Sequence, residues 1–300
     1  MKLTNKYNMP PVFFSMIREM DAQWSRGGSG SGREHYGVTT LASSPWRTKL
    51  MKMHNAELEE DVRDRFFAFR GQMMHKALED VALYNMIPEL KIGMEIDGAW
   101  LAGRIDVIMP GRIEDHKMGT VNAVFYHDDN KVQELARQLN VYAYMVWKVF
   151  QMPIRELAAQ FYLMDWVGNK ALTDSHYPQK PHFEVTVPVW TTEATEEYIL
   201  SRIALHRKPL EELEPCSPIE RWSRPTTFAL MPPKAKRASK VAGSREEIEA
   251  WMVKNPTRVK QGSEIEERPG EDIRCARYCG VSKVCPYYVN KNATLAEEAD

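Results

Sequence analysis

The chain has 300 residues, and its 40 Lys and Arg nearly balance its 41 Asp and Glu, giving a formal charge of −1 at pH 7. Hydrophobic residues make up 43% and charged residues 27%, which excludes a mostly disordered chain, a collagen-like chain and a disulfide-dense miniature. The sequence contains no apolar run of about 18 residues and no signal-peptide pattern. Because it has four cysteines in 300 residues, we expect a soluble cytoplasmic protein with no membrane partner.

Composition along the chain predicts three parts. Residues 1–36 form an N-terminal segment that includes the Gly/Ser-rich stretch 25–33, which is expected to be a flexible loop. Residues 37–210 carry the helix and strand patterns of one domain. Residues 211–300 contain a basic segment followed by three of the four cysteines.

The first long region in chain order, residues 45–84, has a helical pattern with Ser43 or Ser44 as its N-cap. Its acidic stretch 57–64 is expected to be a solvated face. The side chains expected to form the buried stripe of this region are Phe66, Phe67, Phe69, Met73, Met74 and Leu78.

Three segments with alternating apolar and polar residues follow, and Gly98 and the pair Pro110–Gly111 mark turns between them. They predict an antiparallel meander. A helix, two strands and a further helix come next, so we expect an α/β fold with a mixed sheet. The predicted strands are 91–98, 99–109, 112–118, 157–166 and 183–189, and the predicted helices are 132–150 and 192–206, the latter capped by Thr191 or Thr192.

Two acidic residues of the meander are candidate metal ligands. Asp106 lies on its second strand and Asp115 on its third, so a hairpin brings both carboxylates within reach of one cation. Hard oxygen ligands favour Mg²⁺ or Mn²⁺ over a soft metal. Strand alternation places Lys117 on the same face as Asp115, and Glu114 and His116 on the opposite face. Hydrolysis of a phosphodiester requires such a cation, an oriented water and positive charge near the phosphate.

An Asp-x-Lys tripeptide alone is better explained as a surface hairpin with a salt bridge. Two helical pairs favour a site. His75 lies four residues before Glu79, and Gln138 lies four residues before Tyr142, so each pair shares one helical face. The structural alternatives are a core histidine for His75, a surface charge for Glu79, and plain helix surface and core for Gln138 and Tyr142.

The order of these residues resembles the PD-(D/E)XK nuclease superfamily, in its RecB-like exonuclease branch. That branch has a helix His, a strand Asp, an Asp/Glu-x-Lys motif and a Gln-x-x-x-Tyr helix. The matching segments look most like bacteriophage-encoded members, and they are GQMMHKALED, GRIDVIM, EDHK and RQLNVYAYM. The resemblance implies a restriction-endonuclease-like core, with a central mixed sheet flanked by helices, and a C-terminal region with a cysteine-ligated metal cluster.

The resemblance also implies a ligand set for the metal. In this family the helix His, the strand Asp and the Asp of the motif bind the ion, together with the backbone carbonyl of the residue between Asp and Lys. In this chain the implied ligands of Mg²⁺ or Mn²⁺ are His75, Asp106, Asp115 and the carbonyl of His116.

Lys117 would then hold or polarise the attacking water, and Gln138 and Tyr142 would help to position the DNA strand. Glu79 would either contact the metal ligands without binding the ion itself or be a charge on the helix surface. The implied activity is that of a deoxyribonuclease, an exonuclease acting on single strands or duplex ends in DNA recombination, repair or replication. A phage-encoded member would act in the host cell cytoplasm, beside replication or recombination proteins.

Three cysteines near the C-terminus, Cys275, Cys279 and Cys285, form a C-x3-C-x5-C run, and Cys216 is the fourth cysteine. Clustered thiolates in a reducing compartment bind an iron–sulfur cluster or zinc. Nucleases that this chain resembles often hold a 4Fe-4S cluster with a C-x2-C-x5-C trio and a cysteine that precedes the core. The spacing here differs, and Cys216 follows the core. We expect an iron–sulfur cluster, with Zn²⁺ or no metal as alternatives.

Residues 221–260 carry ten Lys and Arg against three Glu, a local excess of seven positive charges. Four of these cations lie within seven residues and are suited to follow a phosphate backbone without reading bases. The alternative is a solvated surface linker. The four residues are Lys234, Lys236, Arg237 and Lys240.

Two other classes of protein fit parts of the sequence. One is a catalytically inactive nucleic-acid-binding protein with the same fold and a structural metal cluster. The complete set of His75, Asp106, Asp115 and Lys117 counts against it, because an inactive relic would be able to lose these residues. The other is a structural zinc-bearing interaction protein, which the basic segment disfavours.

Overall fold

A computed structural model of the protein describes residues 1–25, 34–81, 84–125 and 129–297. The chain divides into two compact units, Met1–Leu213 and Glu214–Asp300. The Gly/Ser-rich stretch that the sequence predicts to be flexible lies outside the described residues, apart from residue 25. Among the described helices, none combines the length and the apolar character that a membrane span needs.

The first unit contains the predicted strands of the meander, the two strands after it and the two later predicted helices, together with elements that the sequence analysis did not predict. Its strands are β1 (Lys2–Thr4), β2 (His35–Gly37), β3 (Glu59–Asp61), β4 (Ile87–Ile96), β5 (Ala99–Met109), β6 (Arg112–Gly119), β7 (Glu156–Leu163) and β8 (His182–Val187). Its helices are α1 (Pro11–Ser25), α2 (Val38–Ala42), α3 (Pro45–Met53), α4 (Phe66–Glu79), α5 (Val121–Val124), α6 (Asp129–Phe150), α7 (Gly168–Thr173) and α8 (Thr192–Arg207).

The central sheet of this unit is mixed, which confirms the predicted α/β fold with its sheet flanked by helices. Strand β5 pairs antiparallel with β4 along nearly its whole length, and β6 pairs antiparallel with the end of β5. Strand β7 is parallel to β6 and antiparallel to β8. The two turns of the meander place Gly98 and Gly111 at φ values of 71° and 79°, which glycine adopts without steric strain.

The second edge of β5 is divided between two partners. Strand β2 pairs with residues 100–102, and β6 pairs with residues 107–109. Between these ladders, side chains satisfy two backbone donors in place of a neighbouring strand. The hydroxyl of Tyr142 accepts a hydrogen bond from the N–H of Arg104, and Asp106 Oδ2 accepts one from the N–H of His116 at 2.7 Å. The sheet is therefore open at this point.

Helix α6 covers the opening. Its Tyr142 is 6% exposed and lies so close to Gly103 that a Cβ at residue 103 would be 2.5 Å from Cε1 and 3.0 Å from the hydroxyl oxygen. The absence of a side chain at Gly103 therefore leaves the space that this ring occupies. Leu139 and Met145 of the same helix are buried in one core with Ile105 of β5.

The acidic stretch after α3 is not the solvated face that the sequence predicts. It contains β3, which pairs in parallel with the N-terminal strand β1 and separates α3 from α4. Asp61 is buried, and its carboxylate is satisfied by hydrogen bonds from the N–H of Lys6 at 2.6 Å and from the hydroxyl of Thr4 at 3.1 Å. The capping of α3 is as predicted, since the side chain of Ser44 accepts from the N–H of Arg47.

Helix α4 buries a narrower stripe than the sequence predicts. Phe69 is buried and packs against Phe13 of α1, with the ring centroids 5.1 Å apart. Phe67 is 73% exposed, and Phe66 and Met73 are also exposed. The helix contacts α1 with one side and lines a large cleft with another, so part of its apolar face borders the cleft instead of a core.

The second unit has its own small sheets, with β11-β10-β12 in one and β13-β9 in the other among the described residues. Its strands are β9 (Ser223–Arg224), β10 (Thr227–Met231), β11 (Lys240–Ala242), β12 (Glu264–Arg268) and β13 (Glu271–Asp272). Its helices are α9 (Pro218–Arg221), α10 (Arg245–Lys254), α11 (Ile273–Arg277) and α12 (Pro286–Glu297), with short 3-10 turns at Pro256–Arg258 and Ser282–Val284.

The interpretation of residues 221–260 as a surface linker is wrong. This segment contains β10 and β11, which pair antiparallel, and helix α10. Lys234, Lys236 and Arg237 are exposed on the loop that joins the two strands, and Lys240 is the partly buried first residue of β11. The basic residues are thus presented by a folded hairpin.

The close contact between Gly103 and Tyr142 predicts opposite effects for two alanine substitutions. Gly103→Ala should destabilise the protein by about 1–3 kcal/mol, because the new methyl group would overlap the tyrosine ring. Gly71→Ala should instead stabilise helix α4 by up to about 1 kcal/mol, since nothing lies within 4 Å of its added Cβ. Urea unfolding followed by circular dichroism measures both. Equal midpoints for Gly103→Ala and the wild type would contradict this packing.

Candidate metal centre

Three side chains from separate elements meet where β5 parts from β6. His75 comes from α4, Glu89 from β4 and Asp106 from β5, and their ligand atoms all lie within 4.8 Å of one another. His75 Nδ1 is 2.8 Å from Glu89 Oε1 and 3.5 Å from Asp106 Oδ1. Among the residues that the structure describes, no other three His, Cys, Asp or Glu side chains lie this close together. This cluster is therefore the strongest candidate for a metal site.

Glu89 is a site residue that the sequence analysis missed. The hairpin register sets it opposite Asp106, but it interrupts the ladder and adopts a left-handed φ of 51°. Such a conformation in a non-glycine residue costs of order 1–3 kcal/mol and is typical of functional sites. Its side chain is 5% exposed, and its second oxygen accepts from Arg104 at 3.2 Å. Counting back from the Gly98 turn would have found it, but the predicted strand began only at Lys91.

The residues on β6 and α6 form the second half of the site. Lys117 Nζ is 2.7 Å from Asp115 Oδ2, and Gln138 donates to Asp115 Oδ1 at 3.2 Å. Gln138 also donates to the hydroxyl of Tyr142. The structure thus brings these four predicted residues together, but Asp115 lies outside the closest cluster of three.

The backbone of His116 joins the two halves, since its N–H donates to Asp106. Its ring lies on the opposite face of β6, stacked with Tyr162 at a centroid distance of 5.9 Å. His116 Nε2 is 3.3 Å from Glu114 Oε2. The predicted distribution of side chains between the two faces of β6 is therefore confirmed, and the imidazole of His116 is directed away from the cluster.

Glu79 lies one helical turn beyond His75, outside the cluster. Its Oε1 is 3.5 Å from Arg104 Nη1, and its Oε2 is 2.5 Å from Lys76 Nζ. Arg104 also holds Glu89. Glu79 is thus connected to the cluster through one arginine.

Electrostatic interactions in the site favour an added positive charge. Burial raises the pKa of Asp106 to about 6, and the charge of Asp115 adds to this effect. The hydrogen bond that His75 donates to Glu89 raises the pKa of His75, against the opposing effect of burial. Burial lowers the pKa of Lys117, but the charge and hydrogen bond of Asp115 outweigh it, so the net direction is upward and the lysine stays an ammonium group.

The donor set fits a hard divalent cation. Ligand atoms about 2.1 Å from an octahedral ion lie about 3 Å from one another, close to the separations between His75 Nδ1 and the two carboxylates. Carboxylate oxygens with one imidazole nitrogen suit Mg²⁺ or Mn²⁺ better than a soft metal. A cleft of about 1040 Å³ opens onto His75, Asp106 and Asp115, so a substrate can reach such an ion.

The four cysteines lie in the second unit, and none of them forms a disulfide bond in the described part of the chain. Burial raises the pKa of Cys275 to about 11, and the charges of Cys279, Asp272, Cys216 and Cys285 add to the effect. No three of their sulfur atoms come within 4.8 Å of one another in the described part of the chain.

Asp272 organises the backbone around two of these cysteines. Its side chain is 2% exposed and lies 2.9 Å from Lys291 Nζ and 3.3 Å from Arg221 Nε. The same arginine donates to the carbonyl of Cys216, and the helix that carries Cys275 begins directly after Asp272. One buried carboxylate thereby supports both the distant cysteine and the first cysteine of the trio.

The raised pKa of Asp106 predicts how stability depends on pH without metal. Folding disfavours the ionised carboxylate, so its effect is absent below about pH 4 and destabilises the fold fully above about pH 6. In EDTA at pH 7.5, Asp106→Asn should therefore be more stable than the wild type, by up to about 3 kcal/mol. Urea unfolding at pH 4 and pH 7.5 tests this, with exposed Asp174→Asn as the control. A variant less stable than the wild type at pH 7.5 would refute it.

Comparison with known proteins identifies the family. A family model of the PD-(D/E)XK nuclease superfamily matches residues 15–286. The solved structure of SSO0001 shares 16% identity at a TM-score of 0.44, over 68% of this chain and 90% of that one. A phage-related exonuclease from Haemophilus somnus 129PT shares 13% at a TM-score of 0.30, over 64% and 78%. No curated protein matches the chain. Because the family model spans most of the sequence, the chain belongs to the PD-(D/E)XK nuclease superfamily.

Proposed function

We propose that this protein is a Mg²⁺- or Mn²⁺-dependent deoxyribonuclease that hydrolyses phosphodiester bonds. The observation that carries the proposal is the cluster of His75, Glu89 and Asp106 beside the ion pair of Asp115 and Lys117. An imidazole and several buried carboxylates within one cleft provide hard ligands, and the lysine adds a cation where a phosphate would lie.

The proposed ligands are those of the sequence analysis with one addition. His75, Asp106, Asp115 and the carbonyl of His116 would hold the ion, and Glu89 would provide a further oxygen. The bound ion supplies Lewis-acid polarisation of a phosphoryl oxygen. Glu89 supports this role because it faces His75 and Asp106 directly, while Arg104 fixes its other oxygen.

Lys117 would orient the attacking water and stabilise negative charge on the phosphate. Its raised pKa keeps it protonated at neutral pH, so it donates hydrogen bonds and does not remove a proton. Its contact with Asp115 sets the position of the ammonium group. The partly exposed side chain, at 31%, can reach a substrate in the cleft.

Gln138 and Tyr142 would act on catalysis by holding the site in place. Gln138 bridges Asp115 and the tyrosine hydroxyl, and Tyr142 supports the open edge of β5. Because Tyr142 is only 6% exposed, we propose that it holds strand β5 in position and does not contact DNA directly. Glu79 would act further back, through Arg104.

The proposed branch of the superfamily, the type of cleavage and the partners rest on the resemblance of the sequence motifs. We propose a RecB-like, phage-encoded exonuclease that acts on DNA ends in recombination, repair or replication, in the cytoplasm of the host. Lys234, Lys236, Arg237 and Lys240 would contact phosphates from the hairpin of the second unit, where three of the four are exposed. Replication or recombination proteins are its expected partners.

The cysteines would hold a structural iron–sulfur cluster, with Zn²⁺ as the alternative. Four thiolates bound to one zinc at about 2.3 Å lie about 3.8 Å from one another. In the described part of the chain no three of the four sulfur atoms meet this separation, so either group would have to draw the thiols together. Such a group would stabilise the second unit, because metal binding contributes to folding where ligands come from distant segments.

Substitution of single site residues should abolish cleavage. Asp115→Asn, Glu89→Gln and Lys117→Met should each lower the rate by about a thousandfold or more, since ligands and charges of one site act as a unit. The assay uses end-labelled single-stranded, duplex and circular DNA with Mg²⁺ or Mn²⁺, and EDTA as the metal-free control. Asp174→Asn should cleave at the wild-type rate. Near wild-type cleavage by any site variant would remove that residue from the mechanism.

The metal content of the protein tests the cysteine site. Anaerobically purified protein should be brown and contain iron and sulfide in similar amounts. Cys216→Ser should lose iron and lower the melting temperature, whereas Ser282→Ala, within the cysteine trio, should keep both. Colourless protein with one zinc per chain would exclude the iron–sulfur cluster, and unchanged iron in Cys216→Ser would exclude Cys216 as a ligand.

A further inference from the structure

Two exposed aromatic side chains line the cleft that contains the metal centre. Phe67 of α4 is 73% exposed and Trp100 of β5 is 36% exposed, and both border the same cavity as Asp106 and Asp115. Large aromatic rings are normally buried, so two of them on one functional cleft indicate a binding role. The proposed hydrolysis of a phosphodiester does not itself require either ring.

Trp100 is held in a fixed position along β5. It lies six residues before Asp106 on the same face of the strand, at a distance of about 20 Å along the chain. The indole packs on the backbone of Gly93 in the neighbouring strand, where a Cβ would lie 2.6 Å from Cζ2. The absence of a side chain at Gly93 therefore lets the indole lie against the backbone, while the cleft side of the indole stays accessible.

Cations occupy the stretch between Trp100 and the carboxylates. Lys91 of β4 is exposed and pairs directly opposite Arg104 of β5. Arg104 is paired with Glu79 and Glu89, and Lys91 adds an exposed ammonium group directly across from it. These two cations suit a polyanion that runs along the strand from the candidate metal centre to the indole.

Phe67 lies on the other side of the metal centre. It precedes His75 by eight residues, about 12 Å along the axis of α4. Glu79, one turn after His75, reaches Arg104 on the Trp100 side, so Phe67 and Trp100 extend from the cluster in opposite directions. The guanidinium carbon of Arg70 lies 5.9 Å from the centroid of the Phe67 ring, which places a cation at this end too.

We propose that Trp100 and Phe67 are stacking platforms for unpaired bases of the substrate strand on either side of the metal centre. Lys91 and Arg104 would contact the phosphates between them. The faces of bases inside a duplex are already stacked on one another, whereas single strands offer their bases to aromatic side chains. The cleft therefore selects single-stranded DNA. This inference rests on the proposed nuclease function and names its substrate.

Equilibrium binding of DNA tests the stacking role without cleavage. Fluorescence anisotropy of a labelled single-stranded oligonucleotide and of a blunt hairpin duplex is measured with Ca²⁺ in place of Mg²⁺, at one fixed salt concentration. Trp100→Ala and Phe67→Ala should each weaken single-strand binding by about tenfold or more, and duplex binding by less than about twofold. Trp100→Phe, which keeps a ring, should bind within about threefold of the wild type.

Two control variants match the exposure and chemistry of the test residues. Trp147, 37% exposed, lines a separate cavity, and Phe150 is 50% exposed on the same helix α6. Trp147→Ala and Phe150→Ala should leave binding of both DNAs unchanged. Circular dichroism confirms that each variant is folded.

The outcomes separate this inference from the proposed function. Equal losses of single-strand and duplex binding in Trp100→Ala, or no loss of either, would overturn the stacking role even if the wild type cleaves DNA with Mn²⁺. Selective loss of single-strand binding would support stacking even if the wild type did not cleave, and would then count against the nuclease function alone. Wild-type protein that binds neither DNA would overturn both.

Discussion

The parting of β5 from β6 before residue 107, on the N-terminal side of their short ladder, is the constraint on which the candidate metal centre depends. A continuous ladder would pair the N–H of His116 with a backbone carbonyl. Because the ladder stops, this N–H donates to Asp106, and the ring of Tyr142 enters beside Gly103. The site is therefore built in an interruption of the sheet that helix α6 keeps open. The side chains involved are compatible with a stable core because they satisfy the backbone donors that the interruption exposes.

The same interruption concentrates negative charge inside the unit. The side chains of Glu89, Asp106 and Asp115 are each less than 10% exposed, and burial together with the nearby charge of Asp115 disfavours the ionised form of Asp106. Lys117 and Arg104 offset part of this charge. The remaining negative charge disfavours the metal-free fold, and a divalent cation bound at the proposed site would offset it, so metal affinity and folding free energy would be linked. A neutral core at this place would make the fold more stable, so the charged site lowers the free energy of unfolding.

Local sequence patterns were sufficient for the meander, the faces of β6 and most of the site. Alternation and two turns with glycine determine β4 to β6, and these are short-range features. Glu89 was not predicted because its left-handed backbone interrupts the alternation of side chains between the two faces of β4. Phe67 was placed in the core because apolar periodicity does not distinguish a core from a cleft. The pairing of β3 with β1 joins segments far apart in the sequence, which no local pattern reveals.

The two partners on the second edge of β5 come from very different distances along the chain. Strand β6 follows β5 after a tight turn, whereas β2 pairs residues 35–37 with residues 100–102. Contacts between near neighbours form faster than contacts that close long loops. The hairpin that carries Asp106 and Asp115 is therefore expected to assemble early, and the docking of β2, α4 and α6 to complete the cleft later. During synthesis, the hairpin would therefore carry its acidic residues before the rest of the cleft encloses them. The complete site would form only at the end of folding.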